Sequence, residues 1–381
     1  MFDIGTLACN IKKYREKKGI SQKELADKIF VSPQAISKWE RGLSVPEIEK
    51  LCLLAQLLGC SIDTLVGNSE ENETLMIGVD GGGTKTEYIL FNENGTIFKR
   101  IVGRGMNPNF YGLDNACKEL KKNIKFLLTI KPNVKGAFIG GAGLLTSVNS
   151  AYVKGELKKS FPMIKIRCKS DMLNIIASAT DEKMCLGSIS GTGNIAFSYK
   201  NGEITKYGGY GTLFDKAGSG YNIGRDAILA ALQESEGIGE TTLITKAITE
   251  KIGGNVIENI RKIYDEDVSY IASYSSIVFD ALEKGDRIAR QIVEENADYA
   301  AKLINVTHEK NKESSTVVLA GSLYKNEIFF ESVKEKLNPE LRVIKNDNPP
   351  VLGACVLACR MVEADPSKLK EKFKTEYEKH L

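Results

Sequence analysis

Apolar residues follow two different periods along this chain, and the change comes at the polar, acidic stretch Gly67-Asn68-Ser69-Glu70-Glu71-Asn72-Glu73-Thr74. Before it, Leu7, Ile11 and Tyr14 fall at helical spacing and Gly19 ends the helix they predict. Ser21, with Glu24 three residues on, reads as a capping box opening a second helix through Leu25, Ala26 and Ile29. A tight turn at Phe30-Val31 leads to Ser32-Pro33, an N-cap serine with proline at the first helical position, and a third helix runs to Glu40. Two further helices, 47–58 and 61–66, complete an all-α segment. Beyond the acidic stretch the runs are short. Residues 75–79, 86–91 and 97–102 read as three strands of an antiparallel meander, with an Asn94-Gly95 turn between the last two.

Composition narrows the chemistry mainly through two counts. The 381 residues include only two histidines, His308 and His380, so a histidine triad or multi-histidine metal centre is excluded. They also include 35 glycines, which cluster. The net charge of +3 is too mild for a general nucleic-acid coat, so any DNA contact must be local. Eight scattered cysteines form no CxxC pair and read mostly as small buried hydrophobes. The first residues lack the basic-then-apolar order of a signal peptide, and no run of about 18 apolar residues occurs, so the expectation is a cytoplasmic protein.

Two short helices joined by a tight turn are the requirement for a helix-turn-helix, whose second helix enters the major groove. In that geometry Ile36 and Trp39 face the core, while Gln34, Ser37 and Lys38 point outward. Glutamine can pair bidentately with adenine, and lysine can reach guanine or phosphate. The run from Ser21 to Gly42 resembles the Cro/phage-repressor class of helix-turn-helix domains. That resemblance implies Gln22 and Arg41 at phosphates and Gln34, Ser37 and Lys38 at base edges of double-stranded DNA. Residues 1–68 carry ten basic against eight acidic residues. So small an excess binds weakly in one copy, and a homodimer reading two half-sites is expected.

The large part carries three glycine-bearing strand ends. Asp80-Gly81-Gly82-Gly83-Thr84-Lys85 lies between the first two strands, where backbone N–H groups, a hydroxyl and Lys85 can surround an anion. Asp80 at the strand end is placed to hold Mg²⁺ through water. Ser190-Gly191-Thr192-Gly193-Asn194 lies between two more strands, and its GxGxxA pattern is followed by a second hairpin rather than a helix, which rejects a dinucleotide fingerprint. No GxxxxGK[ST] occurs either. The strand 317–320 ends in Gly321-Ser322, where a flat base could approach the backbone.

These three elements, in this order, resemble the two phosphate motifs and the adenosine motif of actin-like ATPases. Together with Gly208-Gly209-Tyr210-Gly211, Gly218-Ser219-Gly220-Tyr221 and Pro350-Val351-Leu352-Gly353-Ala354, they resemble the BadF/BadG/BcrA/BcrD ATPase family and its N-acetylglucosamine kinase members over roughly residues 76–363. The expectation is a multidomain chain. Its parts are a helix-turn-helix domain at 1–68, a linker at 69–75, and an α/β actin-like (ribonuclease H-like) domain at 76–381 with lobes of about 76–180 and 181–363.

The resemblance further implies ATP with Mg²⁺ as cofactor, held by the glycine loops with Asp80, Thr192 and Ser322, and a small sugar as substrate. Asp171, between a strand and a helix, matches the family's catalytic aspartate. Asn107 matches its sugar-binding asparagine, and Gly209, Tyr210, Gly211, Asn194 and Asp215 complete the expected sugar side. The family's acidic pair before Gly-Ser is replaced here by Lys216-Ala217, with Asp215 one position earlier. Two alternatives follow: a regulator whose kinase fold senses sugar or nucleotide without turnover, and an ATPase activator of a 2-hydroxyacyl-CoA dehydratase, for which Cys168 and Cys185 are the nearest cysteine pair.

Overall fold

The structure, a computed structural model, describes residues 4–66 and 73–381. It divides into a helical unit up to Thr74 and a larger unit from Leu75. The expected linker at 69–75 lies, through residue 72, outside the described residues.

The helical unit holds α1 (Ile4–Lys17), α2 (Gln22–Lys28), α3 (Pro33–Glu40), α4 (Ile48–Leu58) and α5 (Ile62–Leu65). Its termini are set by local chemistry. Ser21 and Glu24 form the complete capping box at α2, and Ser32 caps α3 at the Ala35 N–H with Pro33 behind it. Phe30 takes a left-handed φ of 58° in the turn between them. Leu7, Ile11, Leu25, Ile36, Trp39 and Leu54 close on one another as a core of their own.

The larger unit has two five-stranded mixed sheets with matching order. The first lobe contains β1 (Leu75–Gly81), β2 (Lys85–Asn92), β3 (Ile97–Arg104), α6 (Pro108–Tyr111), α7 (Leu113–Ile130), β4 (Val134–Gly141), α8 (Ser147–Ser160), β5 (Lys165–Lys169) and α9 (Met172–Ala179). Its sheet runs β3-β2-β1-β4-β5, antiparallel through the meander and parallel beyond β1. The second lobe contains β6 (Met184–Ser190), β7 (Asn194–Lys200), β8 (Glu203–Gly208) and the helices α10 (Gly220–Ser235), α11 (Leu243–Ile252), α12 (Ile260–Tyr264), α13 (Val268–Ala272), α14 (Ser275–Glu283) and α15 (Arg287–Glu309). It continues with β9 (Thr316–Ala320), α16 (Glu327–Lys334) and β10 (Arg342–Lys345), and its sheet runs β10-β9-β6-β7-β8. Each sheet thus begins with a hairpin whose turn carries one glycine loop.

The last helices, α17 (Pro350–Met361) and α18 (Ser367–Glu378), do not stay with the second lobe. Val351, Leu352, Cys355 and Cys359 of α17 pack with Met76, Ile89 and Phe138 of the first sheet. A lobe boundary drawn in chain order at 181–363 therefore misassigns α17, because burying the open face of the first sheet requires a helix that arrives from the far end of the chain. Helix α9 is shared. Leu173 and Ala177 join the same core, while Met172, Ile175 and Ile176 pack with Cys185, Phe197 and Val318 of the second sheet. No helix among the described residues is long and apolar enough to cross a membrane.

Candidate active site and candidate DNA-reading helix

The first glycine loop is held from two sides. Gly105 N–H donates to Thr84 O (3.0 Å), Met106 N–H to Gly82 O (3.1 Å), and Ala142 N–H to Gly81 O (2.7 Å). A Cβ on Gly105 would lie 2.1 Å from Gly83 O, so this clasp needs glycine. Within the loop Gly82 N–H is spent on Lys85 O, whereas the N–H groups of Gly83 and Thr84 have no acceptor among the described residues. Thr84 and Lys85 are exposed. The second loop is built alike: Gly191 N–H bonds Gly193 O (2.9 Å), Gly220 N–H at the start of α10 bonds Gly191 O (2.7 Å), and the N–H groups of Thr192 and Gly193 are left without acceptors.

Gly321 is required by the packing of the second sheet. It has φ +112° and a Cβ there would meet Ser190 O at 2.2 Å, so its bareness lets β9 close on β6. The adjacent Ser322 does face a cavity of about 320 Å³, which Gly191, Thr192, Gly220, Ser275 and Phe279 also line. That volume lies in the range of small-molecule sites, about 300–1,000 Å³.

Asp80 lies one residue before the end of β1 and Asp171 precedes α9, and the Asp171 carboxylate is close enough to raise Asp80 electrostatically. Burial is the main cause: it pushes Asp80 up to about 7, against the hydrogen bond from Asn174 Nδ2 (2.7 Å) to its Oδ1. Burial likewise pushes Asp171 up, although Ser170 Oγ and Met172 N–H both donate to Oδ1. Among the described residues no hydrogen-bond donor reaches Asp171 Oδ2. Asn174 is the residue sequence reasoning missed. It sits fully buried in the otherwise apolar start of α9, three residues after Asp171, and its Oδ1 has no partner. The one available signal was an amide in the run Met172-Leu173-Asn174-Ile175-Ile176. A half-buried carboxyl of raised proton affinity beside a second carboxylate, with an orphaned amide oxygen next to it, fits a site completed by a cation.

On the expected sugar side, Asn107 caps α6 through Asn109 N–H (3.0 Å) and its Oδ1 lies 2.6 Å from where a Cβ on Gly143 would stand, leaving its Nδ2 uncommitted. Asp215 is already engaged: Oδ1 accepts from Tyr210 N–H (3.0 Å) and Oδ2 from Gly211 N–H (2.9 Å), so it braces the loop that carries them. Tyr210 is exposed. Asn194 does not reach the cleft. As the first residue of β7 it turns inward beneath Gly218, is 3% exposed, and both its amide atoms lack partners, which corrects its assignment to the sugar.

Neither histidine is near this chemistry: His308 Nδ1 meets Ser314 O and His380 Nε2 meets Ile97 O. Cys168 and Cys185 are buried in different cores, so neither faces outward to share a cluster between subunits. Five cysteines are buried, as expected for most of the eight, while Cys9 and Cys52 are exposed and Cys60 is half-buried.

In the helical unit Gln34, Lys38 and Arg41 are exposed, Ser37 partly so, and Ile36 and Trp39 are buried. Gln22 is occupied: its Nε2 donates to Glu40 Oε2 (2.7 Å), and Glu40 also takes two bonds from Arg15 (2.6 and 3.1 Å).

The sequence pattern of helix-turn-helix domains matches residues 11–65, and that of the BadF/BadG/BcrA/BcrD ATPase family matches residues 77–358. An N-acetyl-D-glucosamine kinase of Dictyostelium discoideum is 25% identical over 313 residues, covering 75% of this chain and 98% of the relative. An N-acetylmuramic acid/N-acetylglucosamine kinase of Clostridium acetobutylicum is 26% identical over 302 residues, covering 74% and 97%. In fold, a candidate N-acetylglucosamine kinase structure from Porphyromonas gingivalis superposes with a TM-score of 0.60 at 19% identity, over 74% of this chain and 98% of that one. The paired hairpin loops, the two matching sheets and this coverage place the chain in the BadF/BadG/BcrA/BcrD ATPase family, with a helix-turn-helix domain ahead of the ATPase fold.

Proposed function

We propose that the larger unit is an ATP-dependent kinase acting on a sugar hydroxyl, N-acetylglucosamine or a related aminosugar, and that the helical unit binds double-stranded DNA as part of a homodimer. The observation that carries the kinase reading is Asp171. One of its oxygens is fixed by Ser170 and Met172, the other has no partner among the described residues, and burial raises its proton affinity toward the range useful for a general base. The unsatisfied N–H groups of Gly83, Thr84, Thr192 and Gly193 would hold phosphate oxygens. Asp80, oriented by Asn174, would hold Mg²⁺, directly or through water, and that ion when bound neutralises charge on the transferring phosphoryl group. Asn107 Nδ2 would donate to a sugar oxygen. The names of the two curated relatives support an aminosugar.

The engagement of Asp215 with its own loop, and Lys216-Ala217 where the family has acids, favour a second reading: a regulator that binds sugar or nucleotide without turning it over. Incubation with Mg-ATP and a panel of hexoses and aminosugars separates the two. Turnover is expected to fall about 10²–10⁴-fold in Asp171→Asn, and a wild type yielding no more sugar phosphate than that variant is no kinase. In the DNA arm, Gln34→Ala with Lys38→Ala should abolish sequence-specific binding to half-sites about 34–36 Å apart while leaving ATP turnover unchanged. Survival of that binding would remove α3 as the reading helix.

A further inference from the structure

A cavity of about 760 Å³, against about 320 Å³ for the cavity at Ser322, is one that the kinase reading does not use. It opens between the two lobes. One wall is β5, where Lys165, Arg167 and Lys169 alternate with Ile166 and Cys168. The pleat therefore sends the two apolar residues into the first-lobe core and all three cations to the opposite face. The facing wall belongs to the second lobe: Lys183, just before β6, and the β7–β8 turn at Asn201-Gly202, which is tied to it by Asn201 N–H on Lys183 O (2.8 Å). The half-buried Tyr199 and Leu357 give the cavity its apolar surface.

The charges do not cancel. Arg360 is held by Asp181, and Lys169 stands 3.8 Å from Glu203 across the lobes. Glu363 also lines the cavity, so five cations there face two carboxylates; Lys165, Arg167 and Lys183 have no carboxylate within ion-pair distance among the described residues, and all three are exposed. Like charges gathered in excess over their counter-charges repel one another. A concave, partly apolar space rimmed by unpaired cations is complementary to an organic anion.

We propose that this cavity binds a small organic phosphate, and that the bound ligand ties the two lobes together. The coupling follows from connectivity. Strand β5 runs on through Lys169 and Ser170 into Asp171, and β7 begins at Asn194, directly after the second glycine loop. An anion shared by Lys165 and Arg167 on one side and Lys183 on the other bears on both elements of the proposed site without occupying it. Its phosphate displaces Glu203 from Lys169, and its carbon body lies on Tyr199 and Leu357.

The test uses the full chain with its nucleotide site saturated by a non-hydrolysable ATP analogue, titrated calorimetrically with glucose 6-phosphate and, separately, inorganic phosphate. Saturable binding of glucose 6-phosphate is expected, at least tenfold tighter than inorganic phosphate and weakened by added salt. The double variant Lys165→Ala/Arg167→Ala should weaken it at least tenfold, while Lys122→Ala/Lys125→Ala on α7 should not. Hydrogen exchange should show protection on both walls, in 165–171 and in 199–203. Loss of binding when the ATP analogue is present, equal affinity for the two probes, or indifference to the β5 substitutions would each overturn the site. Protection confined to one wall would overturn the coupling.

Discussion

Asn174 shows how one buried amide organises charge. Its Nδ2 holds Asp80, and its backbone carbonyl meets the bare face of Gly353. Removing the amide leaves Asp80 with burial and the Asp171 charge acting on it and no opposing hydrogen bond, so its proton affinity rises further. A hydrogen bond to a charged group is worth about 1.5–3 kcal/mol, so Asn174→Ala should raise the Mg-ATP concentration for half-maximal binding by about tenfold or more. The measurement is nucleotide binding as Mg²⁺ is varied. Unchanged dependence on Mg²⁺ would show that Asn174 is merely a packing residue. Asp215 teaches the converse lesson: a carboxylate beside a glycine run looks free in sequence, but two of the loop's own N–H groups claim it.

At the scale of elements, the caps and hairpin turns were legible because they depend on neighbours only a few residues away. Ser21 with Glu24, Ser32 with Pro33, and Asn201-Gly202 all act where their local chemistry predicts. The α9–α17 contact was not legible, since the partners are about 180 residues apart and meet only when the last helix returns to the first sheet. A Cβ on Gly353 would stand 1.8 Å from Asn174 O, against backbone that cannot rotate away. Gly353→Ala should therefore destabilise the larger unit by about 1–3 kcal/mol and reduce turnover as well, because α9 carries Asp171. Gly155 in α8 provides the contrast: a Cβ there meets nothing within 4 Å. Gly155→Ala should stabilise by about 0.5–1 kcal/mol through helix propensity. Urea unfolding of both variants checks the pair, and equal effects would contradict this account of the packing.

Over the whole molecule, the helical unit encloses its own core, while the two lobes share α9 and the apolar contacts on its two faces. Calorimetry is accordingly expected to show separate unfolding of the helical and larger units. Glu40, whose side chain is 3% exposed, anchors Arg15 and Gln22. Glu40→Ala should cost about 3–5 kcal/mol by stranding Arg15 and should move only the transition of the helical unit. A shift of both transitions would mean that the units unfold together. The amino-acid sequence by itself determined the change of period at the acidic stretch, the helix-turn-helix, the hairpins bearing glycine loops and the aspartate between strand and helix. Each rests on spacing, turn chemistry or capping within a few residues. Only the tertiary structure decided that Asn174 holds Asp80, that Asn194 turns inward, that α17 covers the first sheet, and that cations from both lobes face one cavity. Those outcomes depend on which surfaces become buried when distant segments pack, and burial sets both the partners of a polar group and the cost of leaving it without one.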